Sequence, residues 1–238
     1  MKKSVIMLLA AAAMLSFNSC EKVNGEGPVE TQNRPITDFT GISTNIDGQV
    51  NFIQAPEYKV QLVAQGNILN IVETFKSGND LIIKFKNHVN ITNRTDVVIN
   101  ISAPTLKNVY VNGSGNFKSS GNLISPVLNT FISGSGNIRI ENLQSDTSFN
   151  CNVSGSGYLQ VLAGQGKNEN LSISGSGNVD IASLNAESAI VKISGSGNAK
   201  LFASQNLQAS ISGSGNLYYL GNPAINAHVS GSGRIVRL

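Results

Sequence analysis

The tripeptide Gly-Ser-Gly occurs seven times, at residues 113–115, 134–136, 155–157, 175–177, 195–197, 213–215 and 231–233, so successive copies lie 21, 21, 20, 20, 18 and 18 residues apart. A fixed period of that size marks a stacked architecture, built from units that cannot each bury an apolar side alone. Fourteen of the 24 glycines fall in these copies. The glycine is therefore periodic, unlike that of a flexible linker.

Aligning the copies on their first glycine exposes alternation on both sides. Two residues before it stand Val111, Ile132, Val153, Ile173, Ile193, Ile211 and Val229, all β-branched and aliphatic. Four residues before it stand Val109, Thr130, Cys151, Leu171, Val191, Ala209 and Ala227, while the residue just before it is Asn112 or a serine. On the far side, Phe117, Ile138, Leu159, Val179, Ala199, Leu217 and Ile235 sit two residues after the last glycine. The position just before these is polar: Asn116, Asn137, Tyr158, Asn178, Asn198, Asn216 and Arg234. A period of two means a strand with one face inward. Each repeat thus reads as strand, glycine corner, strand and looser turn. The fold predicted is an all-β, right-handed parallel β-helix, a solenoid of 18–21-residue coils spanning 104–238. Cys151 then occupies a core position as a small hydrophobe.

Upstream, Lys2-Lys3, the apolar run Val5–Leu15 and Ser19-Cys20 read as a lipoprotein signal peptide over 1–19, with Cys20 as the acylated residue. Residues 20–35 hold little that is apolar and are expected to form a flexible tether. Residues 36–103 lack the tripeptide but carry strand-like runs at Val50–Gln54, Tyr58–Ala64, Leu81–Lys86 and Val97–Ser102, punctuated by turn residues. Ile68–Phe75 reads equally as strand or helical turn. Asp47-Gly48, followed by Val50 and Phe52, faintly echoes the corner. Terminal units of a solenoid are usually atypical, so 36–103 is expected to form irregular first coils and an N-terminal cap, a separate small β domain being the alternative.

The pattern from Pro104-Thr105-Leu106 to Val111-Asn112-Gly113-Ser114-Gly115-Asn116, followed by repeated Ser-Gly-Ser-Gly-Asn, resembles the putative auto-transporter adhesin, head-GIN domain family over about residues 36–238. That resemblance implies a β-helical domain on a secreted or lipid-anchored envelope protein of a Gram-negative cell, periplasmic or surface-exposed at the outer membrane. It supplies no catalytic residues. No barrel-forming translocator segment is recognisable.

Chemistry is hard to find in the residues themselves. Beyond Cys20 there are 15 Lys+Arg (17 less Lys2 and Lys3) against 14 Asp+Glu, about +1, which gives no electrostatic case for nucleic acid. A phosphate-cradling loop needs a helix behind its glycines, and here the glycines lead into strands. Calcium-binding β-helices need an aspartate in register, and Glu141, Asp146, Glu169, Asp180 and Glu187, the acids of 104–238, share none. His88 and His228 lack a serine elbow, and neither Asp180 nor Glu187 has a second acid beside it, so no hydrolase constellation forms. No enzyme activity, metal or cofactor is expected.

Binding is the remaining expectation. Outward Tyr158 and Tyr218, with Asn137, Asn178, Asn198 and Asn216, are candidates to contact a glycan, or an envelope or host-surface protein. The asparagines have a plainer reading as stacked amide ladders. The alternative function is a structural protein that self-associates into a homo-oligomer through open strand edges, with a carbohydrate-active β-helix enzyme third.

Overall fold

In the computed structural model, which describes residues 21–238, each Gly-Ser-Gly turns the chain from one parallel sheet into another. The signal peptide expected at 1–19 and the acylation expected at Cys20 lie outside the described residues. Strands running into the corners (Asn108–Gly113, Val127–Gly134, Ser148–Gly155, Asn168–Gly175, Ser188–Gly195, Asn206–Gly213 and Ala224–Gly231) form an incoming sheet. Strands leaving them, from Asn116–Ile124 to Arg234–Arg237, form an outgoing sheet. The register is that of the sequence alignment: Val111, Ile132, Val153, Ile173, Ile193, Ile211 and Val229 pair successively across the incoming sheet. All but Val229 are buried. Opposite them, Phe117, Ile138, Leu159, Val179, Ala199 and Leu217 are equally buried on the outgoing side. Parallel strands need long connections, and a coil of about 20 residues supplies one at every step. The fold is the predicted solenoid.

The N-terminal end is built out of order. Gly41–Asn45 and Gln49–Gln54 pair with the first repeat, so Ile46-Asp47-Gly48 sits under the first glycine corner and the faint echo is a true coil. The next coil down comes later in sequence: Asp80–Phe85 lies beside Gly41–Asn45, and Val98–Ala103 beside Gln49–Gln54. Antiparallel strands then close the end. Lys59–Gln65 covers Val98–Ala103, and Val72–Ser77 covers Asp80–Phe85. A one-turn helix, Gly66–Leu69, lies between them in sequence with Ile68 and Leu69 buried. The ambiguous 68–75 stretch is thus helical turn first and strand second. Buried residues from Phe39 to Leu217 form one cluster, so 36–103 shares the core of the repeats.

The flexible tether expected over 20–35 is corrected. Glu21–Asn24 pairs in parallel with Val89–Thr92, and Val29–Asn33 pairs antiparallel with Lys59–Gln65. Arg34 then donates from its guanidinium to the Leu69 carbonyl at 3.1 Å. The segment has little to bury, and Val29 is exposed. Its order comes from backbone pairing along an edge that would otherwise stand open.

Among the described residues the repeats bury five polar side chains, Ser119, Ser125, Thr130, Ser145 and Glu169, in an otherwise apolar interior. Thr130 and Cys151 face each other across paired strands, and burial pushes the Cys151 thiol up to about 12, so it stays protonated and inert. Glu169 is the one carboxylic acid of the five. It sits in an inward column between Phe149 and Ala189 with both carboxyl oxygens unpartnered.

Candidate functional site

The outgoing sheet presents two outward columns. In the first, Asn137 donates from Nδ2 to Asn116 Oδ1 at 2.8 Å, Asn198 to Asn178 Oδ1 at 3.0 Å, and Asn216 to Asn198 Oδ1 at 3.0 Å. These amides satisfy one another in ladders, as identical residues in register can. Tyr158 interrupts the column between Asn137 and Asn178, with 36% of its surface exposed. Burial of the ring, then the nearby Asp180 carboxylate, pushes its hydroxyl above the ordinary tyrosine value, against a smaller opposite pull from Arg139.

Tyr218 belongs to the second column, after Lys118, Arg139, Gln160, Asp180 and Lys200. It stands three strands along the stack from Tyr158, roughly 14 Å at the usual strand spacing. The two tyrosines share a face but do not make one stripe. Between them lie charges of both signs.

The outward face of the incoming sheet holds an aromatic pair outside the candidates Tyr158 and Tyr218. Tyr110 and Phe131 occupy the position three residues before the first glycine, outward by the same alternation. Their rings are parallel, with centroids 4.8 Å apart and planes 8° from each other. Beside them runs a second amide ladder, in which Asn129 donates to Asn108 at 2.9 Å, Asn150 to Asn129 at 2.8 Å and Asn170 to Asn150 at 2.8 Å. The aromatic column continues through Asn152 and Ser172 to Lys192. The signal was present in the sequence, as aromatic residues at one fixed offset in consecutive repeats.

On the third side, away from the glycine corners, a groove of about 380 Å³ is lined by Ile124, Pro126, Gln144, Asp146, Lys167 and Glu187, among others. Asp146 and Glu187 are its two acids, on neighbouring turns with Lys167. No serine, cysteine or histidine nucleophile–base pair joins them. His88 lies in a turn near the cap with φ 62°, and His228 on the last incoming strand at the other end of the solenoid. Neither approaches the groove.

A family model described as "Putative auto-transporter adhesin, head GIN domain" matches residues 38–223. Among solved structures, a putative adhesin from Bacteroides fragilis superposes with a TM-score of 0.85 at 23% identity, over 91% of this chain and 100% of that one. A putative lipid binding protein from Parabacteroides distasonis gives 0.79 at 24% identity, over 92% and 100% of the two chains. A putative adhesin from Parabacteroides merdae gives 0.71 at 23% identity, over 92% and 99%. At such identities the likeness concerns the fold. Curated proteins yield no match.

Proposed function

The chain belongs to the putative auto-transporter adhesin, head GIN domain family, and from that membership we propose that it is a non-catalytic adhesin-like module of the cell envelope. It binds a glycan, or an envelope or host-surface protein, through a lateral face of the solenoid. In this reading the chain is exported and held at the outer membrane of a Gram-negative cell by lipid on Cys20.

The observation that carries the reading is the form of the incoming face. Stacked strands hold an amide ladder and a parallel pair of rings on one rigid surface. Aromatic faces and amide groups together suit polyhydroxylated ligands. A rigid surface also loses little entropy on binding.

The test uses the full chain on cells that export it. Cells bearing it are expected to adhere to immobilised glycans or mucosal proteins in a saturable manner. The Cys20→Ala variant should release the protein into the soluble fraction and abolish adherence. Equal adherence with and without the protein sinks the proposal.

A second reading, self-association, is favoured by one specific feature. The last incoming strand, Ala224–Gly231, is exposed along its length, with Ile225 45% and Val229 38% exposed. Among the described residues it pairs on one edge only, with Asn206–Gly213. Because antiparallel strands close the opposite end, two copies would meet last coil to last coil, as a two-fold pair. Sedimentation across a concentration series is expected to show a dimer that Val229→Lys returns to monomer. A wild-type chain that stays monomeric at every concentration rules this out.

A further inference from the structure

Along the outward aromatic column of the incoming sheet, side-chain size falls abruptly. Tyr110 and Phe131 are rings, Asn152 is a short amide and Ser172 a hydroxyl, all in strand register. One face of Phe131 lies against Tyr110. The other looks along the column over the two short residues. The step leaves a groove of about 190 Å³ walled by Phe131, with Ile132 and Val153 in its lining beside the polar Ser133, Asn152, Ser154, Ser172 and Ser174. It has the size of a single sugar ring.

The polar groups of this groove are free. Two residues away in the same strand, Asn150 spends its amide on the ladder, donating to Asn129. Asn152 has no hydrogen-bonding partner among the described residues. No charged side chain lines the groove, and the nearest in the column is Lys192, beyond Ser172.

We propose that this groove is a subsite for a neutral pyranose, resting on the lateral-face reading above. The sugar's C–H face continues the ring stack on the free side of Phe131. Its hydroxyls exchange hydrogen bonds with the Asn152 amide, which both donates and accepts, and with the Ser133, Ser154 and Ser172 hydroxyls. With no charged side chain in its lining, the groove suits neutral hexoses and N-acetylhexosamines better than uronates and phosphorylated sugars, which would lose hydration there and find only Lys192 at its far end beyond Ser172. A single shallow ring site binds weakly, and many copies on one cell surface convert that into firm attachment.

The experiment is an array of neutral and acidic oligosaccharides, probed with the purified full chain as wild type, Phe131→Leu, Phe131→Tyr, Asn152→Ala and the Tyr158→Ala/Tyr218→Ala double variant. Circular dichroism and melting confirm the fold of each. Wild type is expected to bind neutral sugars. Phe131→Leu, which keeps apolar bulk but no ring, should weaken binding about tenfold. Asn152→Ala should weaken it several-fold, while Phe131→Tyr and the double variant should bind as wild type does. Unchanged binding in Phe131→Leu, or loss confined to the double variant, overturns the subsite and leaves a glycan-binding face elsewhere. Adherence to mucosal protein without any neutral sugar bound overturns the subsite while the adhesin reading stands. Binding to neither removes both.

Discussion

Replacing Gly175 with alanine is expected to destabilise the solenoid by about 3–5 kcal/mol, the sum of a strained backbone and a steric clash. Gly175 has φ +117°, a conformation that side chains strongly disfavour. A methyl group there would come within 2.6 Å of the Gly155 carbonyl oxygen. That oxygen already accepts a 2.9 Å hydrogen bond from the Ser176 amide, so the corner cannot move aside without breaking it. Because each coil rests only on its neighbours, the defect should uncouple the coils on either side. Urea unfolding of Gly175→Ala is therefore expected to be broader than that of the wild type, or split into two steps. Ser176→Ala, at the tip of the same corner, should change the midpoint little. A Gly175→Ala protein as stable as wild type would contradict this account of the corner.

Glu169→Leu is expected to act in the opposite sense and stabilise the protein by about 1–3 kcal/mol, the usual cost of a buried polar group without a partner. Glu169 is 0% exposed, and neither carboxyl oxygen has a hydrogen bond. Its column otherwise reads Leu128, Phe149, Ala189, Leu207 and Ile225. Burial raises its pKa well above the ordinary carboxyl value of 4.5. The native state therefore keeps a proton that the unfolded chain has released. By linkage, stability falls as pH rises from about the unfolded value towards the raised native one. Below the unfolded value both states are protonated and this pH-dependent part vanishes, leaving the cost of the unpartnered neutral carboxyl. Urea midpoints measured from acid to alkaline pH should show the gap between Glu169→Leu and wild type widening with pH. A constant or narrowing gap would refute the assignment.

Much of the candidate site was legible residue by residue. The ladder reading of Asn137, Asn178, Asn198 and Asn216 needed only their shared offset from the corner, and the hydrogen bonds run along that column, from Asn137 to Asn116 on one side of Tyr158 and through Asn178, Asn198 and Asn216 on the other. Counting offsets also reveals that Tyr158 and Tyr218 occupy different columns, and that Tyr110 and Phe131 occupy the same one. Glu169 was legible in the same way, since its offset of six before the glycine is apolar in the other copies from Leu128 onward. What the offsets do not give is which polar groups remain free. Asn150 and Asn152 are both outward asparagines of one strand, yet only Asn150 has amides stacked on either side.

The sequence by itself determined the repeat, the corner, the two sheets and the inward and outward faces. In a parallel stack each residue meets its own counterpart one period away, so local repetition already specifies the tertiary contacts. Only the tertiary structure decided the N-terminal end. There the coil 80–103 lies outside the coil 41–54 that precedes it in sequence, and the polar segment 29–33 is ordered by pairing with residues 61–65. Edge pairing of that kind joins backbone groups far apart in the chain and demands no particular side chains. It leaves no local pattern to read.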